Sequence, residues 1–219
     1  MKRTLLALLC AALTVPALAQ YNRPRPQQPQ HHNRYDHTDT EIYYGLRLGL
    51  ALSSVNSDDQ RLNGSGTQSG LNFGAAMGFG LSNSVPVFLE TGLYYTEKGG
   101  KGTNNGTKFT YDLNYLELPV VVKYGIELDN DFTLQPFVGG YFGIGISGKV
   151  KNFAERAATS SFDSEYFKRL DGGLRLGCGV EYQMMYAELA YDLGLANICH
   201  DDFDTSHNRC LYLNIGVNF

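Results

Sequence analysis

The sequence predicts an all-β fold: an eight-stranded antiparallel up-and-down transmembrane β-barrel, with short periplasmic turns and longer outer loops. Three observations predict it. Eight segments alternate apolar with small or polar residues at a period of two, which puts successive side chains on opposite faces of a strand. The connections between them alternate in length. The apolar face carries no charge at the centre of any segment, whereas the other face is dominated by Gly.

The segments follow a targeting region and a polar stretch. Lys2 and Arg3, the apolar run Leu5–Val15 and the small-x-small site Ala17-Leu18-Ala19 read as a signal peptide over residues 1–19. Leu9 before Cys10 argues against a lipoprotein signal, and removal of Lys2 and Arg3 takes the formal charge from -4 to -6. That balance argues against nucleic acid as a partner. Residues 20–40 hold Pro24, Pro26, Pro29, His31, His32 and His37 with almost no aliphatic side chains, so they read as a disordered periplasmic tail. The tail histidines could hold a metal, but no ligand spacing on a structured element supports a site, and none is assigned.

The barrel occupies residues 41–219. Its first strand, Ile42–Leu52, sets Tyr44, Leu46, Leu48, Leu50 and Leu52 against Gly45, Arg47 and Gly49. Leu71–Ser82 sets Leu71, Phe73 and Met77 against Asn72, Gly74 and Gly78, and Pro86–Thr96 sets Val87, Leu89, Leu93 and Tyr95 against Glu90 and Gly92. In Phe109–Ile126 the apolar side is Leu116, Leu118, Val120, Val122 and Tyr124, opposite Glu117 and Lys123. Phe132–Ile146, Arg169–Tyr182, Met184–Ile198 and Leu211–Phe219 complete the set. Long connections are expected at 53–70, 97–108, 147–168 and 199–209, and short ones at 83–85, 127–131 and 183. Pro119 and Pro136 fall inside strands and predict a bulge or an irregular rung at each, because a closed barrel has no free edge for a missing N–H.

The apolar face is expected to look outward, onto outer-membrane lipid. A charge on it would cost roughly 2–4 kcal/mol at mid-depth. Glycine weakens strands, and a narrow barrel needs small residues inside so that larger ones fit. Tyr44, Tyr124, Phe132, Tyr182 and Phe219 all fall at periplasmic strand ends on the apolar face, as an aromatic girdle would. A soluble periplasmic lipid-binding barrel, apolar side inward, is the alternative that alternation by itself leaves open.

The closing stretch LYLNIGVNF resembles the last strand of bacterial outer-membrane barrels, where a terminal Phe also signals to the barrel-assembly machinery. Tyr115–Tyr124 (YLELPVVVKY), Leu93–Lys101 (LYYTEKGGK) and Pro136–Ile146 (PFVGGYFGIGI) resemble the PorT-type outer-membrane β-barrel family common in Bacteroidota, over about residues 40–219. The resemblance implies an eight-stranded barrel in the outer membrane of a Gram-negative cell. One founding member is linked to protein secretion, and the family carries no catalytic residues to transfer.

On the inner face stand Arg47, Lys123 and Arg175 with Glu90, Glu117, Asp171, Glu181, Glu188 and Asp192. Eight strands leave an interior just filled by side chains, so these predict a salt-bridge network plugging the lumen, with negligible conductance. The acidic surplus is tolerable if Asp171 and Glu181 lie near opposite rims. Cys199 and Cys210 flank the last outer loop and are expected to form a disulfide, with Cys178 a lone lipid-facing thiol. Within that loop His200, Asp202 and His207 are the candidate site for a lipid-modifying hydrolase or acyltransferase. A solvated polar loop is the plainer reading. Val150–Ala158, Phe162, Tyr166 and Phe167 suit either partner binding or packing on the rim. The expected protein is non-enzymatic and monomeric, without a cofactor, with partners at its outer loops or tail.

Overall fold

The structure, a computed structural model, describes residues 42–58, 63–82, 84–104, 106–129, 131–151, 159–162, 167–199 and 205–219. Residues 1–41, where a signal peptide and a tail are expected, lie outside the described residues. The strands are β1 (Ile42–Ser57), β2 (Gly64–Gly80), β3 (Val87–Asn104), β4 (Thr107–Tyr124), β5 (Ile126–Asp129), β6 (Phe132–Ser147), β7 (Lys149–Lys151), β8 (Thr159–Ser160), β9 (Leu170–Tyr182), β10 (Met185–Gly194) and β11 (Ser206–Asn218). β5 continues β4 past Gly125, and β7 and β8 belong to the third outer loop. The other eight form one closed antiparallel wall: β4 pairs with β6, and β1 pairs with β11. The seam of closure runs from Gly45↔Asn218 to Ser57↔Ser206. Tyr44 and Phe219 exchange both backbone hydrogen bonds there at 2.9 Å. Closure satisfies the edge groups that lipid could not.

The apolar face looks out. Leu46, Leu174 and Leu213 are 53%, 46% and 57% exposed, while their neighbours Arg47, Arg175 and Tyr212 are buried. The outward apolar run on β1, Tyr44 to Leu52, covers about 20 Å along the axis at ~3.3 Å per residue and a ~40° tilt. That is close to the height of an outer-membrane apolar band. The inside-in arrangement of a soluble lipid-binding barrel is therefore set aside.

The strands run further outward than the sequence pattern indicates. Within residues 97–108, expected as a long loop, 97–104 and 107–108 belong to the outer halves of β3 and β4, paired from Glu97↔Asn114 to Asn104↔Thr107. Gly106, at φ 82°, turns the tip. The first outer connection shrinks likewise, since β1 reaches Ser57 and β2 starts at Gly64. The reason is visible on β4. Within the membrane its apolar residues are the outward ones, Leu116 to Tyr124. Above the membrane the outward face meets water, and Phe109, Tyr111 and Leu113 point inward and are buried. The hydrophobic phase inverts where the strand leaves lipid, so a search for one continuous alternation ends the strand too early.

Neither proline produces a bulge. The β3–β4 register passes from Thr91↔Val120 to Tyr94↔Glu117 with no slip, leaving Leu118 and Pro119 at a break in the ladder. Thr91 Oγ1 donates to the Pro119 carbonyl at 2.8 Å. Pro136 pairs with Cys178 in register on β9, and on its other side β4 pairing ends at Phe137 while β5 pairing begins at Leu134. A break is where a missing N–H costs least.

Candidate functional site

The lumen is where polar chemistry collects, and the pleat of each strand puts it there. Two clusters stack along the axis. In the outer one, Lys98 from β3 reaches Glu117 Oε1 at 2.6 Å, Asp192 Oδ2 at 3.2 Å and Asp171 Oδ2 at 3.5 Å. Arg175 from β9 clamps Asp192 with Nε at 2.6 Å and Nη2 at 2.8 Å, and its Nη2 also meets Glu117 Oε2 at 2.8 Å. Tyr212 donates to Asp192 at 2.9 Å, and its hydroxyl lies 3.2 Å from Glu117 Oε2. Asp171 accepts from Asn208 at 2.8 Å and from the Gly172 N–H at 2.8 Å. Lys98 also stands 4.4 Å from the Tyr141 ring. Each of these charges is buried. Buried charges persist only when paired and hydrogen-bonded on their remaining sites; every charge here is paired, with Glu117 Oε1 held by the Lys98 ammonium and the neighbouring Asn208 Oδ1 left without a hydrogen bond.

The periplasmic cluster centres on Glu90. It takes Lys123 at 2.8 Å and the Tyr43 hydroxyl at 2.6 Å, with Arg47 at 3.8 Å. Arg47 stacks 3.9 Å over Tyr186 and donates to Asn218 at 2.6 Å; Asn218 in turn donates to Glu181 at 2.6 Å. Lys123 donates to Tyr186 at 2.7 Å, and Tyr186 to Glu188 at 3.1 Å. Asn214 and Asn72 link Glu188 to Thr96 by bonds of 2.8, 2.9 and 2.8 Å, and the Thr96 hydroxyl stands 3.4 Å from Glu117 of the outer cluster. Asp171 and Glu181 stand at opposite ends of β9, opposite Gly143 and Thr133 of β6.

All nine charges that the sequence places on the inner face therefore face the lumen, but the pattern omits Lys98. It was readable: Glu90, Gly92, Tyr94, Thr96 and Lys98 share one parity, and ending the strand at Thr96 hid it. The bonding role of Tyr212, Asn208, Asn72 and Asn214 has no signal in the sequence beyond that inward parity.

Above the outer cluster lies an apolar cap of Val55, Phe109, Tyr111, Leu113, Tyr115, Val150, Phe162, Phe167, Ile198 and Cys199. Phe162 packs edge-on to Tyr115 at 5.7 Å, and Phe167 lies 5.0 Å from Tyr111. These two loop aromatics are thus packed inward; Tyr166 and residues 152–158 lie outside the described residues. At the other end Tyr43 and Phe88 meet edge-on at 5.9 Å.

No disulfide joins Cys199 to Cys210. Ile198 donates to the Ser206 carbonyl, which levels Cys199 with the start of β11. Cys210 is four residues further down that strand, about 13 Å at ~3.3 Å per residue. A disulfide tolerates Cα separations up to about 7 Å. Cys178 lies on the outward parity between Leu176 and Val180, half-buried. Of the candidate loop residues, His200 and Asp202 lie outside the described residues. His207 sits with Nδ1 3.1 Å from the Ala196 carbonyl, on the outward face of β11. Ser206 points the opposite way and donates to Ser57 Oγ at 2.6 Å, so the adjacent Ser and His do not address one another. Among the described residues no group of three or more His, Cys, Asp or Glu is placed to hold a metal ion.

At the periplasmic ends Tyr44, Tyr124, Phe132, Tyr182 and Phe219 all project outward. Tyr44 stacks on Phe219 at 6.4 Å, and Phe132 lies 4.6 Å from Tyr182.

The family model of the outer membrane protein beta-barrel domain matches residues 18–200. The chain belongs to this family. It is an integral outer-membrane β-barrel. In fold it is similar to a major outer membrane protein from Thermus thermophilus, at 13% identity and a TM-score of 0.52, covering 82% of this chain and 99% of that one. Neisserial surface protein A (13% identity, TM-score 0.48) and Ail, the attachment invasion locus protein of Yersinia pestis (16%, 0.44), match over the same shares of each chain. No curated protein matches the chain.

Proposed function

We propose that this protein is a non-enzymatic outer-membrane anchor with a closed lumen, whose outer hairpins bind a partner in envelope maintenance or secretion, in the manner of the PorT-type family. The observation that carries it is the lumen: Lys98, Glu117, Asp171 and Asp192 are fully or almost fully buried and mutually bonded beneath the apolar cap. Such an interior holds charges in place and leaves them no room to pass an ion. Among the described residues, the β3–β4 hairpin exposes Lys101, Thr103 and Lys108 towards its tip. The motif Tyr115–Tyr124 that carries the PorT resemblance lies on β4, the strand that brings Glu117 and Lys123 to the lumen. Planar-bilayer recording tests the closed lumen, with no stable open level expected; a steady porin-sized current overturns it. Crosslinking in intact cells from a photoreactive residue at Thr103 tests the display role. A discrete adduct is expected, and its absence from Thr103 and from Lys108 under native expression contradicts that role.

A further inference from the structure

The barrel wall is unevenly sewn: among the described residues, the longest interruption in the pairing of two wall strands lies between β2 and β3 at the outer membrane boundary. Their register passes from Gly66↔Lys101 to Asn72↔Thr96, with residues 67–71 of β2 set against 97–100 of β3 and a slip between. Side chains stand in for rungs there. Glu97 Oε2 accepts the Leu71 N–H at 3.0 Å. Ser53 Oγ donates to the Gly99 carbonyl at 3.1 Å. Gln68 Nε2 reaches across Gly99 to Asp112 Oδ1 at 2.5 Å. The crossing needs Gly99, at φ 153°, because a Cβ there would lie 2.2 Å from the Tyr111 carbonyl and 3.2 Å from the Gln68 amide. Lower down, β3 is also unladdered on its β4 side, at Gly92–Leu93 opposite Leu118–Pro119. Backbone rungs are the cooperative part of a sheet's resistance to opening, and stretches without them exchange first.

Lys98 sits in the middle of this segment and is tied across the lumen to Asp171 on β9 and Asp192 on β10, on the far wall. We propose that the outer β2–β3 seam is a lateral opening of the barrel wall, latched from inside by Lys98 and from outside by the Gln68–Asp112 bond, with Gly92 and Pro119 as its hinge. Released, the outer part of β3 parts from β2 and gives the outer leaflet a route to the Lys98 cluster.

Hydrogen exchange followed by mass spectrometry, on the full mature chain in nanodiscs, tests this. In the wild type, amides of 67–71 exchange at least tenfold faster than those of 73–79. Lys98→Met raises exchange at 67–71 and 97–100 by at least tenfold more than any rise it causes in β10 and β11, whose Asp192 also loses its ammonium partner. Gln68→Ala, which leaves the lumen intact, moves the same segments in the same direction. Heat-modifiable gel mobility reports that each variant is folded. Wild-type protection at 67–71 equal to that at 73–79 overturns the proposal. So does Lys98→Met raising exchange evenly around the barrel while Gln68→Ala changes nothing.

Discussion

Replacing Arg175 by Met should destabilise the barrel far more than replacing its partner Glu117 by Gln. The outer lumen cluster sets Lys98 and Arg175 against Glu117, Asp171 and Asp192, an excess of one carboxylate. Met fills much of the arginine stem's volume but removes three short charged bonds, two to Asp192 and one to Glu117. Three buried carboxylates then share one ammonium. Stripping one partner from a buried ion pair costs about 3–5 kcal/mol, because the remaining charge stays out of water. Glu117→Gln instead brings the formal charges of the cluster into balance and keeps one acceptor oxygen for Arg175, while Lys98 retains Asp171 and Asp192, so its cost should stay at about 1–2 kcal/mol. The assay is urea unfolding in lipid vesicles, followed by far-ultraviolet circular dichroism and by heat-modifiable mobility. Equal losses for the two variants, or a loss under 1 kcal/mol for Arg175→Met, refute the view that charge balance governs this interior.

The lipid face should respond to charge at mid-depth: Leu213→Arg, placed between Leu50 and Leu189, should cost roughly 2–4 kcal/mol in the same unfolding assay. Gly179→Ala should cost about 1–3 kcal/mol, since a Cβ there would lie 2.1 Å from the Tyr186 hydroxyl that Lys123 bonds. Denatured but unreduced protein should take maleimide at both Cys199 and Cys210, and a mass showing a bridge between them would contradict the levels at which the strands hold them.

The wall was legible because a lipid-facing strand has only one chemistry on its outer side. From Leu46 to Leu52, or from Leu211 to Phe219, each outward position is apolar, and parity fixes what stands inside. The outer halves of β3 and β4 were not legible, because beyond the membrane boundary Tyr111 and Leu113 belong to the inner face and the period loses its phase. That lost phase also hid Lys98. Pairing across the lumen has no sequence signal at all. Lys98 meets Asp192 at a separation of 94 residues, and only barrel closure brings them together. The two cysteines mislead for a related reason. Nearness across a loop in sequence says nothing of height along the strands, and height separates Cys199 from Cys210.

The most direct measurement is a spin-label scan of β1 from Tyr44 to Leu52, one nitroxide per variant, reading accessibility to oxygen and to a polar nickel chelate in bilayers. The account predicts high oxygen accessibility at Tyr44, Leu46, Leu48, Leu50 and Leu52, and little access to either reagent at Gly45, Arg47, Gly49 and Ala51. Oxygen accessibility peaking at Arg47 and Gly49 instead, or nickel reaching Leu48, would contradict it.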